Sequence, residues 1–241
     1  MRLIGVGLDT EAWKIAAVKA AAKLVRDDMK VGLGSGTTVA KLIRELSELK
    51  SKAVFVASSS ESQSLAAELG LKLSSLDVHD KLDLTIDGAD EVDKNFDMIK
   101  GHGGAHTREK IVAGAAKRVV IIVDRGKLVR RLGERFPVPV EVLPFALQYT
   151  MRKLAGLGGE PQLKIGASGE PLITDNGNYI IDVKFQSIAQ PARLERDINN
   201  LPGVIENGIF PDVADVVLVG YEDGCKALRS KRDFLNFLKR A

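Results

Sequence analysis

A single cysteine, Cys225, stands in a chain of 241 residues. This excludes an internal disulfide framework and a four-cysteine zinc site, and we expect the one thiol to be structural, in a reducing cytoplasm. Long apolar runs are missing too. None approaches the ~18 residues that cross a bilayer, and the opening stretch MRLIGVGLDTEAWK lacks the apolar segment of a secretory signal, so no membrane partner is expected. Neither sign of charge dominates: 35 basic and 32 acidic side chains are interspersed, for a formal charge of +3. Without a basic block to follow a nucleic-acid backbone, no nucleic-acid partner is expected, and a small anionic ligand fits the balance better. Internal repeats and low-complexity tracts are also lacking.

What is present is the composition of an ordinary soluble globular protein, 45% apolar and 28% charged. The length allows one large domain, or one domain carrying a smaller lobe. A helix capped by Asp9 or Thr10 is expected through EAWKIAAVKAAAKLVRDDM, where Trp13, Ala17, Ala20, Leu24 and Val25 recur at helical spacing. A glycine-broken strand, KVGLGSG, follows, then a helix whose Val39, Leu42, Ile43, Leu46 and Leu49 form one apolar face. Strands at 53–57, 82–87 and 118–124 alternate with helices at 61–70 and 108–117. This alternation predicts an α/β fold with a parallel sheet covered on both faces.

The pattern changes at RFPVPVEVLP, whose three prolines are not expected inside a regular element. A domain boundary is placed there, giving one domain of 1–137 plus 212–241 and a small α+β lobe of 138–211. In the lobe we expect helices at 145–156 and 192–201, strands at 162–167 and 179–185 around the turn TDNGN, and a strand at 203–210. A strand at 214–220 and a helix from Lys226 to Arg240 return to the first pattern.

Three stretches concentrate chemistry. VGLGSGTTVAKL sets Gly32, Gly34 and Gly36 before Thr37 and Thr38 at a helix start, where backbone N–H groups, hydroxyls and the positive helix end favour phosphate. No lysine stands in nucleoside-triphosphate spacing, and the next strand ends in Ser58, Ser59 and Ser60 where a dinucleotide site would carry an acidic residue. A cradle sized for a monophosphate remains, beside the plainer reading of a tight strand-to-helix turn. TIDGADEVD ends an apolar strand with Asp87, Gly88, Ala89 and Asp90, at the end of a parallel sheet where ligands bind; loop aspartates also serve as solvated turn formers. MIKGHGGAHTREKIV carries Lys100, a loop of Gly101, Gly103 and Gly104, and Glu109 in the first turn of a helix.

Glu109 there either complements the helix dipole or acts as an ionised base, and Lys100 is either an exposed charge or the stabiliser of a developing oxyanion. His102 and His106 stand four apart in the glycine loop, but no third histidine is near and we assign no metal. Lys127, in the loop after the strand RVVIIVD, could contact an anion, and Lys14 on the first helix is a further candidate of that kind.

Together, GLGSGTT, TIDGADEVD, KGHGGAHTREK, VDRGK, FPVPVEVLP and TDNGN resemble the type A ribose-5-phosphate isomerase family, in order and over nearly the whole chain. The resemblance implies a Rossmann-like domain with an inserted ferredoxin-like lobe, assembled as a homodimer or homotetramer. It implies interconversion of D-ribose 5-phosphate and D-ribulose 5-phosphate without a cofactor. By position, Glu109 resembles the family's base, and Asp87, Asp90 and Lys100 resemble the residues that assist ring opening and handle oxygen charge and protons. Ser35, Gly36, Thr37 and Thr38 are similar to the family's substrate loop, and Lys127 to its substrate-binding lysine. Gly88, Ala89, Gly101, His102 and Gly103 join the implied substrate contacts, and Lys14 takes the place of a helix lysine that faces the phosphate. His102, Gly104 and His106 depart from the family's run K-G-G-G-A-A-L-T, although the length from Lys100 to Glu109 is kept.

Two other readings compete. A non-catalytic sugar-phosphate sensor needs the cradle without the acid–base set and usually accompanies a DNA-binding segment. A deaminase of amino-sugar phosphates or a sugar lactonase would betray itself by ammonia release or lactone hydrolysis.

Overall fold

A computed structural model describes residues 6–240. The first described elements are α1 (Val6–Ala22), β1 (Lys30–Leu33), α2 (Gly36–Glu48), β2 (Val54–Ala57), α3 (Ser60–Glu68), β3 (Lys72–Leu73) and β4 (Leu84–Asp87). Two short strands, β5 (Glu91–Val92) and β6 (Met98–Ile99), precede α4 (His106–Gly114) and β7 (Val119–Asp124). Next come β8 (Val138–Val142), α5 (Leu147–Gly156), β9 (Gly159–Leu163), β10 (Tyr179–Phe185), α6 (Pro191–Asn199), β11 (Val204–Asn207) and β12 (Ile209–Phe210). The hairpin β13 (Val216–Tyr221) and β14 (Gly224–Leu228) and the helix α7 (Lys231–Arg240) complete it. Among the described residues no helix is long and apolar enough to cross a membrane.

The chain packs as two compact units, one of Met1–Ala89, Ile111–Leu128 and Val213–Ala241, the other of Asp90–Lys110 and Val129–Asp212. In the first, a seven-stranded sheet runs β14-β13-β7-β4-β1-β2-β3. Every neighbouring pair is parallel except β13 with β14. This strand order is that of a Rossmann-like sheet. Unbroken burial along β4 and β7 shows that both faces are covered, as a parallel sheet requires. Val39, Leu42, Ile43 and Leu46 of α2 are buried as their helical spacing predicts, each contributing about 1.5–3 kcal/mol. Leu49 falls at the helix cap and is exposed.

The second unit holds a four-stranded antiparallel sheet, β11-β8-β10-β9, and a three-stranded sheet, β12-β6-β5. With α5 between β8 and β9 and α6 between β10 and β11, the larger sheet is a ferredoxin-like split βαβ arrangement. Its core gathers Val138, Val140, Val142, Leu154, Ile181, Val183 and Ile198 with Ile99 and Ile209.

Six expectations are corrected. Asp9 and Thr10 fall inside the first helix and not at its start, because α1 runs from Val6, and it ends at Ala22 rather than Met29. The proline-rich stretch is not a break: Val138–Val142 is a strand in the middle of the antiparallel sheet. Pro139 fits there because its carbonyl accepts from Gly208 N–H, so the N–H it lacks faces the place where the pairing with β11 has ended. The strand expected at 162–167 lies three residues earlier, at Gly159–Leu163, paired with β10.

The strand expected at 203–210 is two strands in two sheets, β11 and β12, that change over at Gly208. A Cβ at Gly208 would overlap the Lys100 carbonyl oxygen. The last helix begins at Lys231, since Gly224–Leu228 pairs with β13 across a tight turn at Glu222 and Asp223. The packed units also divide at Leu128 and Val213, not at 137 and 212, and Asp90–Lys110 joins the smaller unit because β5 and β6 pair with β12.

Candidate active site

The candidate residues fall into one group in each unit. In the first unit, Ser35–Thr38, Asp87–Ala89 and Lys127 all follow the carboxyl ends of parallel strands, β1, β4 and β7. Ligands bind at that edge of an open α/β sheet. Gly34 and Ser35 turn the chain from β1 into α2, which opens at Gly36 with φ 84°. Gly36 and Thr37 are exposed, so the helix start with its backbone N–H groups is open to an anion.

Asp87 lies beneath this turn, 2% exposed. Its Oδ1 accepts from Ser35 N–H at 3.2 Å and Gly88 N–H at 2.7 Å. Gly34 has no substitute here, because a Cβ would overlap the Asp87 carboxylate. Thus the carboxylate that sequence position links to chemistry also shapes the candidate phosphate loop. Lys127 closes a single 3-10 turn after β7 and is half-buried. Lys14 pairs with Glu11 at 3.1 Å, and Glu11 also takes Lys41 of α2 at 2.7 Å.

In the second unit, Lys100 follows β6 and Glu109 stands in the first turn of α4. Lys100 Nζ and Glu109 Oε2 are 2.9 Å apart, and both side chains are 4% exposed. The lysine is fixed from two sides: its N–H donates to Gly208 C=O at 2.9 Å, and its ammonium lies 5.3 Å from the Phe210 ring centroid. Burial strengthens an ion pair, and it also makes removal of either partner costly.

The glycine loop between them is held by Asp90, whose Oδ2 accepts from His102 N–H at 3.0 Å. Gly101, at φ 93°, passes so close to the His106 ring that a Cβ would collide with it. The two histidines face different surroundings. His102 is exposed, edge-on to Phe136 at 5.4 Å between centroids, with Lys164 Nζ 3.4 Å from its Nδ1. His106 is fully buried, and its Nε2 lies 3.2 Å from the Glu206 carbonyl oxygen. A carbonyl only accepts, so Nε2 carries the proton. Burial holds the His106 pKa below the ordinary value and keeps the ring neutral. Among the described residues no group of three or more His, Cys, Asp or Glu side chains could hold a metal ion.

Residues 54–224 match the model of the family "Ribose 5-phosphate isomerase A (phosphoriboisomerase A)". The chain belongs to the ribose 5-phosphate isomerase A family. The ribose-5-phosphate isomerase A of Thermosynechococcus vestitus is 50% identical over 213 residues, covering 86% of this chain and 90% of its own length. The solved ribose 5-phosphate isomerase A of Methanocaldococcus jannaschii superposes with a TM-score of 0.88 at 45% identity, covering 92% of this chain and 100% of that one. A D-ribose-5-phosphate isomerase solved in complex with phospho-erythronic acid gives a TM-score of 0.89 at 44% identity, covering 92% and 99%.

Several polar groups of this isomerase-family chain escape the sequence reading. Glu141 is fully buried in β8, and Lys164 and Asp182 form an ion pair of 2.7 Å beside His102. The signal for Glu141 is a carboxylate in the apolar run VPVEV, obscured by the prolines that make the run look like a linker. Lys164 and Asp182 carry no local signal, since antiparallel pairing alone brings their strands together.

Proposed function

We propose that the protein interconverts D-ribose 5-phosphate and D-ribulose 5-phosphate, an aldose–ketose isomerisation of the pentose phosphate pathway, without a cofactor. The observation that carries this reading is the buried Lys100–Glu109 pair, a carboxylate and an ammonium 2.9 Å apart at the end of a glycine loop. Family membership and a relative that binds a phosphorylated sugar acid support it.

Glu109 takes the proton from C2 of the open-chain aldose and returns it to C1, passing through an enediolate. As the carboxylate becomes neutral, the ammonium of Lys100 loses its partner and the enediolate oxygen takes that place, so local charge is conserved through the step. A positioned base contributes about 10²- to 10⁴-fold, and one oxyanion donor about 2.7–4 kcal/mol. Asp87 and Asp90 assist ring opening and proton handling. Ser35, Gly36, Thr37 and Thr38 bind the phosphate with Lys127, while Gly88, Ala89, Gly101, His102 and Gly103 contact the sugar. Fixing the substrate by its phosphate supplies orientation that proton transfer alone lacks. We further assign the protein to the cytoplasm and to a homodimer or homotetramer.

Incubating the purified protein with ribose 5-phosphate in a chelator and following ketose formation tests the reaction; no ketose means the reading fails. A sugar-phosphate sensor would have no need of a buried acid–base pair, and it would bind the sugar phosphate without turning it over.

A further inference from the structure

Glu141 is 0% exposed, in the middle strand of an antiparallel sheet, between two valines that are also 0% exposed. A charge in such a place is costly unless donors replace its water. Four neutral side chains do so. Thr107 Oγ1 donates to Oε2, and Thr174 Oγ1 and Asn178 Nδ2 each donate to Oε1 at 2.8 Å. Asn176 Nδ2 reaches both oxygens, at 3.1 and 3.4 Å. Burial raises the Glu141 pKa, but these hydrogen bonds outweigh it and the carboxyl is held below its ordinary range, hence anionic.

These donors come from two places. Thr174, Asn176 and Asn178 belong to the turn TDNGN, whereas Thr107 is in the first turn of α4, two residues before Glu109. The same turn also grips the residue between them: Arg108 Nε donates to Asn176 Oδ1 and its Nη2 to the Asp175 carbonyl oxygen, each at 2.7 Å. Successive helical residues point about 100° apart. Tying down Thr107 and Arg108 therefore sets the rotation of the turn that carries Glu109 toward Lys100.

We infer that Glu141 is a positioning residue for isomerisation: through Thr107 it fixes the first turn of α4, and with it the aim of the Glu109 carboxylate. The inference rests on the isomerase reading for its catalytic consequence, but not for its structural one. Thr107→Val deletes the one hydrogen bond by which Glu141 itself reaches α4. Thr174→Val deletes a hydrogen bond to the same carboxylate and two that Thr174 accepts from the Asn176 and Asn178 N–H groups, at a side chain outside α4.

We expect Thr107→Val to lower kcat at least tenfold with KM within threefold, and Thr107→Ser to restore kcat to within threefold of the parent. Thr174→Val should lose thermal stability while keeping kcat within threefold. In a double-mutant cycle, Glu141→Gln should cost far less kcat in the Thr107→Val background than alone. Amide hydrogen exchange of residues 108–110 should speed up in Thr107→Val and stay unchanged in Thr174→Val. If Thr107→Val keeps its kcat, or if both variants lose it equally, Glu141 only stabilises the lobe and the inference is overturned. If the parent protein shows no isomerisation, that defeats the isomerase reading, and the exchange experiment still decides whether Glu141 sets the first turn: equal exchange in the two variants rejects it.

Discussion

Lys100 and Glu109 are a costly pair to keep. Both are 4% exposed, and two hydrophobic side chains of similar volume in their place would be as stable or more so. Lys100→Met or Glu109→Leu alone strands a buried charge and should destabilise the fold by about 3–5 kcal/mol. The double variant Lys100→Met/Glu109→Leu should recover most of that loss and remain inactive. Urea unfolding beside a turnover assay checks this; a double variant as unstable as the singles contradicts it. Cys225 shows the reverse case, a group with no chemistry to perform. Burial pushes its thiol up to about 11, so at pH 7.5 the thiolate fraction is minute. Iodoacetamide should leave it unmodified for hours in the native protein and react quickly once urea is added, as mass spectrometry can follow.

At the level of elements, the turn between β1 and α2 depends on Gly34, where a Cβ would overlap the Asp87 carboxylate. Gly34→Ala must displace either the loop or Asp87. We expect at least a tenfold rise in KM for the sugar phosphate and a stability loss of about 1–3 kcal/mol, the usual cost of overpacking. Unchanged KM would show that the loop does not hold the phosphate.

This turn was legible because glycine spacing, hydroxyls and an apolar helix face all lie within one short stretch. Lys100 and Glu109 were legible for the same reason, nine positions apart around a glycine loop. Strand β8 was not, because Pro139 reads as a breaker until the neighbouring strand is seen to end beside it. Nor was the split of 203–210 into two strands, which follows from a close approach to the Lys100 backbone, a contact between residues distant in sequence. Strand β14 was missed, its last three residues read as the start of a helix, because the long-range pairing with β13 outweighs local preference. Glu141 was passed over because its partners come from two stretches of chain, each more than thirty residues away in sequence.

For the whole molecule, the buried ionisable groups set the response to acid. His106 is held neutral by burial, its pKa below the ordinary 6.5. The unfolded chain therefore binds a proton that the native state refuses, and stability should fall as pH drops below 6.5, by up to about 1.4 kcal/mol per unit. Glu141 and Glu206 are anionic below their ordinary 4.5, so their contribution is present above that value and lost beneath it. Asp97, raised by burial and by Asp93, offsets part of this second stage. Urea midpoints measured between pH 8 and 3 should decline in two stages, and His106→Gln should abolish the first; a flat profile down to pH 5 would contradict the assignment. Turnover requires a base at position 109, and Glu109→Gln removes it. Its kcat on ribose 5-phosphate and its affinity for phospho-erythronic acid should be measured on folded protein beside the parent. We expect at least a hundredfold fall in kcat with affinity within tenfold, whereas a variant that turns over ribose 5-phosphate at the parent's rate would remove Glu109 as the base.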